Sequence, residues 1–219
     1  MVIAIIPALN EENSIESVVS AVKKYVDEVL VVDDGSNDAT ANIAKDAGAT
    51  VLTHDLNRGQ GAALQTGHDY AKNIGADYVV HFDADGQFDP KEIQPALDAL
   101  KKSGADVLFG SRFLDKKGDV PFTKRYILLP ISRLINALFG TPYMSDVHNG
   151  FRILNKKTFS VIHIEQDRMA HATEIPALVK EHRLKYMEFP VTVKYFEYGQ
   201  NVRGGFGILK DLLLGRFIS

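Results

Sequence analysis

The fold of this chain is decided by the stretch Tyr78-Val79-Val80-His81-Phe82-Asp83-Ala84-Asp85-Gly86-Gln87. Its first half is mainly apolar and rich in β-branched residues, which predicts a buried strand. Two carboxylates one residue apart follow, at the edge where open α/β sheets bind ligands. Paired carboxylates suit Mg²⁺ or Mn²⁺, so we interpret this turn as one that binds a nucleotide diphosphate through a metal ion.

The same turn also has a plainer interpretation. Asp-x-Asp-Gly occurs in many surface turns, because Asp tolerates turn geometry and Gly supplies a positive φ. The pattern is a fragment of a calcium-binding loop as well, but the other oxygen ligands and the closing Glu of that loop are absent. The rest of the chain must therefore decide whether Asp83 and Asp85 form a site.

Composition excludes several classes of protein. The 219 residues are 45% apolar and 24% charged, as in an ordinary soluble domain, and a net charge of −3 offers nucleic acid no basic surface. The chain has no Cys, hence no disulfide framework, thiolate zinc site or catalytic thiol. No apolar run reaches the roughly 20 residues that span a bilayer, and the first apolar run lacks the basic leader of a signal peptide. We expect a cytoplasmic protein, with any membrane contact peripheral and on the cytoplasmic face.

Predicted strands and helices alternate through residue 110, with short connections. Such alternation favours parallel βαβ units, because their crossovers cover both faces of a sheet. We therefore predict an α/β fold with a mostly parallel central sheet flanked by helices. The predicted strands are 2–6, ended by Pro7, then 28–32, 50–53, 78–82 and 107–110, and the predicted helices are 15–24, 40–47, 62–72 and 90–102.

The alternation is less regular beyond residue 110. No repeat, low-complexity tract or linker interrupts the chain, so we expect a single domain over residues 1–219. The elements predicted here are helices over 123–139, 174–182 and 206–218, a turn and strand over 147–154, and a strand over 187–195.

Acidic or amide side chains follow three of the predicted strands. In a parallel sheet these strand ends meet at one edge. Buried carboxylates at such an edge are unfavourable unless a metal ion or hydrogen-bond donors pair with them. A solvated rim is the alternative, but it does not explain why so many acids cluster there. The side chains are Asn10 and Glu11, Asp33 and Asp34, and Asp83 and Asp85.

Four motifs follow one another at these strand ends and at one helix start: Pro7-Ala8-Leu9-Asn10-Glu11-Glu12, Val32-Asp33-Asp34-Gly35-Ser36-Asn37-Asp38-Ala39-Thr40, Gly59-Gln60-Gly61-Ala62-Ala63 and Phe82-Asp83-Ala84-Asp85-Gly86-Gln87. Together they resemble the inverting family 2 glycosyltransferases with the nucleotide-diphospho-sugar (GT-A) fold. The resemblance is strongest to the dolichyl-phosphate mannose synthase and polyprenyl-phosphate glycosyltransferase group. Gly110-Ser111-Arg112 and Asn149-Gly150-Phe151-Arg152 extend it to about residue 155.

The resemblance implies a metal-dependent enzyme that uses Mg²⁺ or Mn²⁺. It would move a sugar from a nucleotide diphosphate to a dolichyl or undecaprenyl phosphate, through a nucleotide-sugar-binding half (1–112) and an acceptor-binding half (113–219). A glycan or other hydroxyl acceptor is the nearest alternative. A sugar-1-phosphate nucleotidyltransferase would need a basic, glycine-rich loop where this chain has the acidic 7–12. A non-catalytic nucleotide-sugar-binding protein is the third alternative, which the intact carboxylate pair disfavours.

The resemblance also assigns residues to tasks. The chemistry agrees, because loss of a nucleoside diphosphate builds negative charge that a metal ion and guanidinium groups stabilise. The implied metal ligands are Asp83, Asp85 and Gln87, and the catalytic residues are Asp85, Arg112 and Glu174. The implied nucleotide-sugar-binding residues are Pro7, Leu9, Asn10, Glu11, Asp33, Asp34, Gly35, Ser36, Gly59, Gly61, Asp83, Ala84 and Asp85. The cations for the acceptor or its phosphate are Arg112, Lys124, Arg125 and Arg152.

Three of these assignments have alternatives. Arg112 could form a surface ion pair only, and Gly59 and Gly61 could belong to an ordinary loop rather than a tight turn that lets the backbone approach the donor. Glu174 could be the general base that a sugar hydroxyl requires. A lipid phosphate needs no base, and Glu174 would then be an acidic residue favoured in the first turn of a helix.

Two segments, 122–139 and 206–218, combine basic side chains with many apolar ones. Basic amphipathic helices can lie in a bilayer interface, and the resemblance implies helices against the membrane near the lipid acceptor. The same faces could instead pack on the sheet or form an oligomer contact.

Overall fold

The computed structural model of this chain describes residues 1–114 and 144–194, in which seven strands form one sheet. The strands are β1 (Val2–Ala8), β2 (Glu28–Asp33), β3 (Thr50–Thr53), β4 (Tyr78–His81), β5 (Val107–Ser111), β6 (Arg152–Asn155) and β7 (Tyr186–Pro190). The helices are α1 (Ile15–Val22), α2 (Thr40–Asp46), α3 (Gln60–Asn73), α4 (Ile93–Ser103), α5 (Lys156–Val161) and α6 (His171–Glu181), with a 3₁₀ turn at Pro90–Glu92.

The strands lie in the order β3-β2-β1-β4-β6-β5-β7. The first four run parallel, β5 and β7 also pair in parallel, and β6 is antiparallel to both of its neighbours. The mostly parallel α/β sheet predicted from the sequence is thus confirmed. The insertion of β6 between β4 and β5 was not predicted, because it depends on pairing between segments that are far apart in the chain.

Both faces of the sheet are covered by helices. On β1, Ala4 and Ile6 pack on one face and Ile3 and Ile5 on the other, and all four are fully buried. Helices α1, α2 and α4 contribute to the first core, and α3, α5 and α6 to the second. Because both faces are buried, β1 reads as a continuous apolar run instead of an alternating one.

Some local predictions were wrong. Pro7 does not end β1, because the pairing with β4 stops at Ile5 and the missing N–H of Pro7 therefore costs no ladder bond. Helix α3 begins at Gln60, two residues earlier than predicted, and α5 was not predicted. None of the described helices is long and apolar enough to cross a membrane. The predicted helices over 123–139 and 206–218, and with them Lys124 and Arg125, lie outside the described residues.

Candidate active site

The carboxyl ends of β1, β2 and β4 meet at one edge of the sheet, where they border a cleft of about 380 Å³. This is the edge to which the sequence assigned the acidic strand ends. The structure brings side chains from all three ends together in this one cleft. The lining residues are Pro7, Ala8, Leu9, Glu11, Asp34, Asn57, Gly59, Gln60, Asp83, Ala84, Asp85 and Met169.

Asp83 and Asp85 form a pair of interacting carboxylates in the cleft. Loss of water to the surrounding protein, together with the charge of Asp85, raises the pKa of Asp83 to about 6. Loss of water also raises the pKa of Asp85, whose Oδ1 accepts the backbone N–H of Gln87 at 2.9 Å. Gln60 Nε2 donates to Asp83 Oδ1 at 3.0 Å. Two carboxylates that resist ionising together are an arrangement that a divalent cation stabilises.

A hard divalent cation fits the chemistry of this pair, since both side chains offer carboxylate oxygens. Across residues 1–114 and 144–194, no group of three or more His, Asp or Glu converges as a complete metal site. A cation held by Asp83 and Asp85 would draw on other donors as well, such as water or the oxygens of a bound molecule. Gln87, the third predicted ligand, follows Asp85 by two residues, and its carbonyl oxygen accepts the N–H of Lys194 at 2.9 Å.

The carboxylate of Asp34 is largely occupied by the chain itself, and the residue is only 3% exposed. Its Oδ1 accepts the N–H of Arg58 at 3.0 Å and lies 2.7 Å from Nδ1 of His54, while its Oδ2 accepts the N–H of Gly59 at 2.6 Å. Asp34 therefore holds the start of α3 against the end of β2. It borders the cleft with the lone pairs that remain.

Hydrogen bonds join the loops that follow β1 and β2. The N–H of Asn10 donates to Ser36 Oγ at 2.9 Å, and Asn10 Oδ1 accepts the N–H of Asn37 at 2.9 Å. Ser36 also donates to Asp33, within a turn where Gly35 adopts a φ of +79°. The sequence had assigned four of these residues to the donor, namely Asn10, Asp33, Gly35 and Ser36. They shape the loops around the cleft, and none of them is among the lining residues given above.

Gly59 and Gly61 permit a close approach between two parts of the chain. The carbonyl oxygen of Asp167 accepts the N–H of Gly61 at 2.7 Å and that of Ala62 at 3.2 Å. A Cβ atom on Gly61 would collide with the backbone of Gln166, and one on Gly59, whose φ is +106°, with that of Asp167. The sequence predicted that a bound donor approaches this turn. In the structure the chain's own backbone does so, and of the two glycines only Gly59 lines the cleft.

Arg112, just past the end of β5, forms a bidentate ion pair with Asp146. Its Nε donates to Oδ2 and its Nη2 to Oδ1, each at 2.7 Å, and its backbone N–H donates to Oδ2 at 3.1 Å. Asn149 Nδ2 donates to the same carboxylate at 3.1 Å. The side chain of Arg112 is 23% exposed and that of Asp146 is 3% exposed, so the pair is partly buried. Bidentate pairing fixes the orientation of the guanidinium group.

Arg152 lies opposite His81 of β4, at the start of β6, and is only 1% exposed. Burial lowers the pKa of its guanidinium group to about 10, and the charges of Asp83 and Asp146 oppose that shift. Its Nε has no hydrogen-bond partner in the described part of the chain. Arg152 was assigned to the acceptor or its phosphate. Here it is a buried counter-charge to two acids, with almost no surface that an acceptor could reach.

Glu174, in the first turn of α6, is engaged by the backbone. Its Oε1 accepts the N–H of Glu165 at 2.9 Å, and its Oε2 accepts the N–H of Gln166 at 3.0 Å. Loss of water raises the pKa of its carboxyl group. Because each oxygen binds a backbone amide, the contacts favour the structural interpretation of Glu174 over that of a general base.

Sequence reasoning missed five residues of the site. Ala8, Asn57, Gln60 and Met169 line the cleft, and Asp146 holds the predicted Arg112. Gln60 stands between two predicted glycines and Asp146 lies just before a quoted motif, so closer attention to the motifs could have found both. The local sequence carries no signal for Met169, because only the tertiary structure brings it to the cleft.

Comparison with known proteins is consistent with this geometry. A family model described as glycosyl transferase family 2 matches residues 3–162. The UDP-N-acetylglucosamine–dolichyl-phosphate N-acetylglucosaminyltransferase of Methanococcus voltae is 31% identical, over 98% of this chain and 95% of its own length. The undecaprenyl-phosphate mannosyltransferase of Micrococcus luteus is 27% identical, over 97% of this chain and 91% of its own length.

A solved structure shares the fold. The glucosyl-3-phosphoglycerate synthase of Mycobacterium tuberculosis, in complex with Mn²⁺, UDP and glucosyl-3-phosphoglycerate, matches with a TM-score of 0.76. The match covers 97% of this chain and 77% of that chain, at 18% sequence identity. It confirms the nucleotide-diphospho-sugar fold that the motifs predicted.

Proposed function

Because this chain belongs to glycosyl transferase family 2 and is a glycosyltransferase, we propose that it transfers a sugar from a nucleotide diphosphate to a polyprenyl phosphate, such as dolichyl or undecaprenyl phosphate, with inversion. The observation that carries the proposal is the convergence of Asp34, Asp83 and Asp85 in one cleft. A cleft with carboxylates at one part and apolar side chains at another suits a donor that joins a nucleoside to a diphosphate.

The donor would occupy the cleft along its length. Its nucleoside would lie against Pro7, Leu9 and Glu11, with the remaining lone pairs of Asp34 available to ribose or base. Its diphosphate would lie at Asp83 and Asp85.

Mg²⁺ or Mn²⁺ held by Asp83 and Asp85, with Gln87 as a further ligand, would neutralise charge on the departing diphosphate. The raised pKa of Asp83 supports this assignment, because a carboxylate that is costly to ionise beside another gains most from a cation.

The attacking group would be a phosphate oxygen of the lipid. As it bonds to the anomeric carbon from one face, the bond to the nucleoside diphosphate breaks on the other, which inverts the centre. A phosphate monoester is already anionic at neutral pH and needs no general base, in accord with the backbone contacts of Glu174. Arg112, oriented by Asp146, is the described guanidinium best suited to this phosphate, with Lys124 and Arg125 as further candidates.

A lipid acceptor requires contact with a membrane. We assign this contact to the basic apolar segments 122–139 and 206–218, which would bring the acceptor half (113–219) to the cytoplasmic face as a peripheral protein. The names of the two relatives, both transferases acting on lipid phosphates, support this acceptor class. Residues 1–112 would form the nucleotide-sugar-binding half.

Thermal shift with a panel of nucleotide sugars, including UDP-N-acetylglucosamine and GDP-mannose, tests donor binding. A ligand at about 100 times its Kd adds ~2.7 kcal/mol, or roughly 5–10 °C for a chain of this size. The shift should require Mn²⁺ or Mg²⁺ and disappear with EDTA. The absence of any shift across the panel with Mn²⁺ would contradict the proposal.

Product formation tests the acceptor. With a short-chain polyprenyl phosphate we expect a glycosyl phospholipid and a nucleoside diphosphate in equal amounts. The matched control is the corresponding polyprenol, which carries a hydroxyl in place of the phosphate and should not react. Transfer to the polyprenol or to an oligosaccharide at a comparable rate would instead favour a hydroxyl acceptor.

A further inference from the structure

Residues 165–170, which we name the wall loop, connect to the start of α6 and border the donor cleft through Met169. Glu174 holds one end of this loop. Its two carboxylate oxygens accept the consecutive N–H groups of Glu165 and Gln166 at 2.9 and 3.0 Å. Charge-assisted bonds to two successive amides fix the path of the backbone more strongly than neutral ones do.

A second contact holds the middle of the wall loop against α3. The Asp167 carbonyl oxygen accepts two N–H groups from the first turn of that helix, at Gly61 and Ala62. The glycines of this turn leave no room for a side chain between the two backbones. Because Gly59 donates to Asp34 at 2.6 Å, the wall loop is tied to the same turn that borders the nucleoside end of the cleft.

Met169 presents apolar surface to the cleft from this fixed loop. It is 47% exposed, and Leu9, from the loop after β1, is 39% exposed in the same cleft. Apolar side chains exposed to water within a cleft contribute favourable binding free energy when a ligand covers them. The unbranched thioether of Met adapts to flat, polarisable surfaces such as aromatic rings.

We propose that Met169 packs against the base of the bound donor nucleotide, and that Glu174 is the positioning residue that holds the wall loop so that it can do so. This inference rests on the proposed function, because it names a contact within the donor site. It gives Glu174 a role in donor affinity that is separate from any proton transfer.

Calorimetry with Mn²⁺ and either UDP or GDP tests the contact, since neither probe carries the sugar. Met169→Ala should raise the Kd of the nucleotide that binds the wild type by about five- to tenfold. The reason is that the substitution removes the roughly half of the Met side chain that the ligand would otherwise bury. Met169→Leu, which keeps the apolar area, should stay within about twofold. Val161→Ala, an exposed apolar position outside the cleft, is the matched control and should leave Kd unchanged.

Glu174→Gln tests the positioning role. It should raise the same Kd. The double variant with Met169→Ala should bind the nucleotide no more weakly than the weaker-binding single variant, because both substitutions remove the same contact. Glu181→Gln, on the same helix, is the control. The pH profile of kcat should keep its shape in Glu174→Gln, whereas a general base would lose its ascending limb.

Two results would overturn the inference. One is a Kd within twofold of wild type for Met169→Ala, and the other is fully additive effects of the two substitutions. Either result would leave the proposed function intact as long as the wild type binds nucleotide with Mn²⁺. Failure of the wild type to bind UDP, GDP or any sugar nucleotide would instead defeat the proposed function itself.

Discussion

Acidic side chains occur at two places along one edge of the sheet, and they differ in how the chain pairs them. Just after β4, Asp83 and Asp85 face a cleft, and loss of water raises the pKa of both. Next to them, where β5 ends and β6 begins, Asp146 accepts a bidentate pair from Arg112 and a further bond from Asn149. The charge of Arg152 offsets only part of the cost of ionising Asp83, whose pKa stays raised, whereas Asp146 is paired directly with Arg112.

The contrast separates a binding site from its scaffold. A carboxylate whose pKa is raised in a cleft is a candidate for function, because the fold has not stabilised its charged form. A buried carboxylate with full hydrogen-bonding orients its partners instead. On this basis Asp83 and Asp85 would act on ligand, and Asp146 would act through Arg112.

Asp85→Asn should have the largest effect, and only on activity. Loss of one cation ligand and its charge should reduce kcat/KM by about 10²–10³-fold. The melting temperature should be unchanged or higher, because repulsion with Asp83 is relieved. Turnover of donor with Mn²⁺ and a thermal melt measure the two quantities. Asp98→Asn, which changes an exposed acid on α4, is the control. Activity above a tenth of wild type in Asp85→Asn would contradict the view that Asp85 acts on the ligand.

Asp146→Asn should act mainly on stability. The substitution leaves the Arg112 guanidinium without its anionic partner, which should lower the free energy of unfolding by about 2–3 kcal/mol. Urea denaturation measures this value. Asp69→Asn removes one partner of an exposed pair with Lys72 at 3.5 Å and should cost less than about 1 kcal/mol. Equal losses in the two variants would show that the ion pair of Asp146 contributes no more to stability than an exposed pair does.

The smallest expected effect concerns a third polar cluster, deep in the sheet. His68 and His81 are buried with Nε2 atoms 2.8 Å apart, and burial lowers the pKa of His68 to about 3 and that of His81 well below its usual value. Both are neutral in the fold but take up protons when unfolded below about pH 6.5. Stability is therefore lost as the pH falls.

His68→Gln removes one of these groups and should make the free energy of unfolding depend less steeply on pH. Between pH 6.5 and pH 5, the wild type should lose about 1.6 kcal/mol of unfolding free energy relative to the variant. Urea denaturation at a series of pH values measures the difference. If the difference in unfolding free energy between wild type and variant stayed constant across this pH range, His68 would not be held neutral by the fold.

Much of the donor edge was predictable from sequence because it uses local signals. Asp83 and Asp85 directly follow a buried apolar run, and the edge of a parallel sheet gathers whatever follows its strands. Arg112, at the end of β5, was instead assigned from the family resemblance of the Gly110-Ser111-Arg112 motif. The details of Asp34 were not predictable, because its bonds to the 58–59 backbone depend on how a distant loop folds back.

Sequence alone determined the order of strands and helices through residue 110, the acidic edge and the family motifs, because these follow from hydrophobic periodicity and from residues adjacent in the chain. Tertiary structure decided which acids are satisfied and which are not. It placed β6 between β4 and β5, buried Arg152, and brought Met169 to the cleft on the wall loop that Glu174 holds. Such outcomes depend on contacts between segments that are distant in the chain. Packing alone brings these side chains together, so neither the spacing of residues nor the composition predicts how far apart they lie.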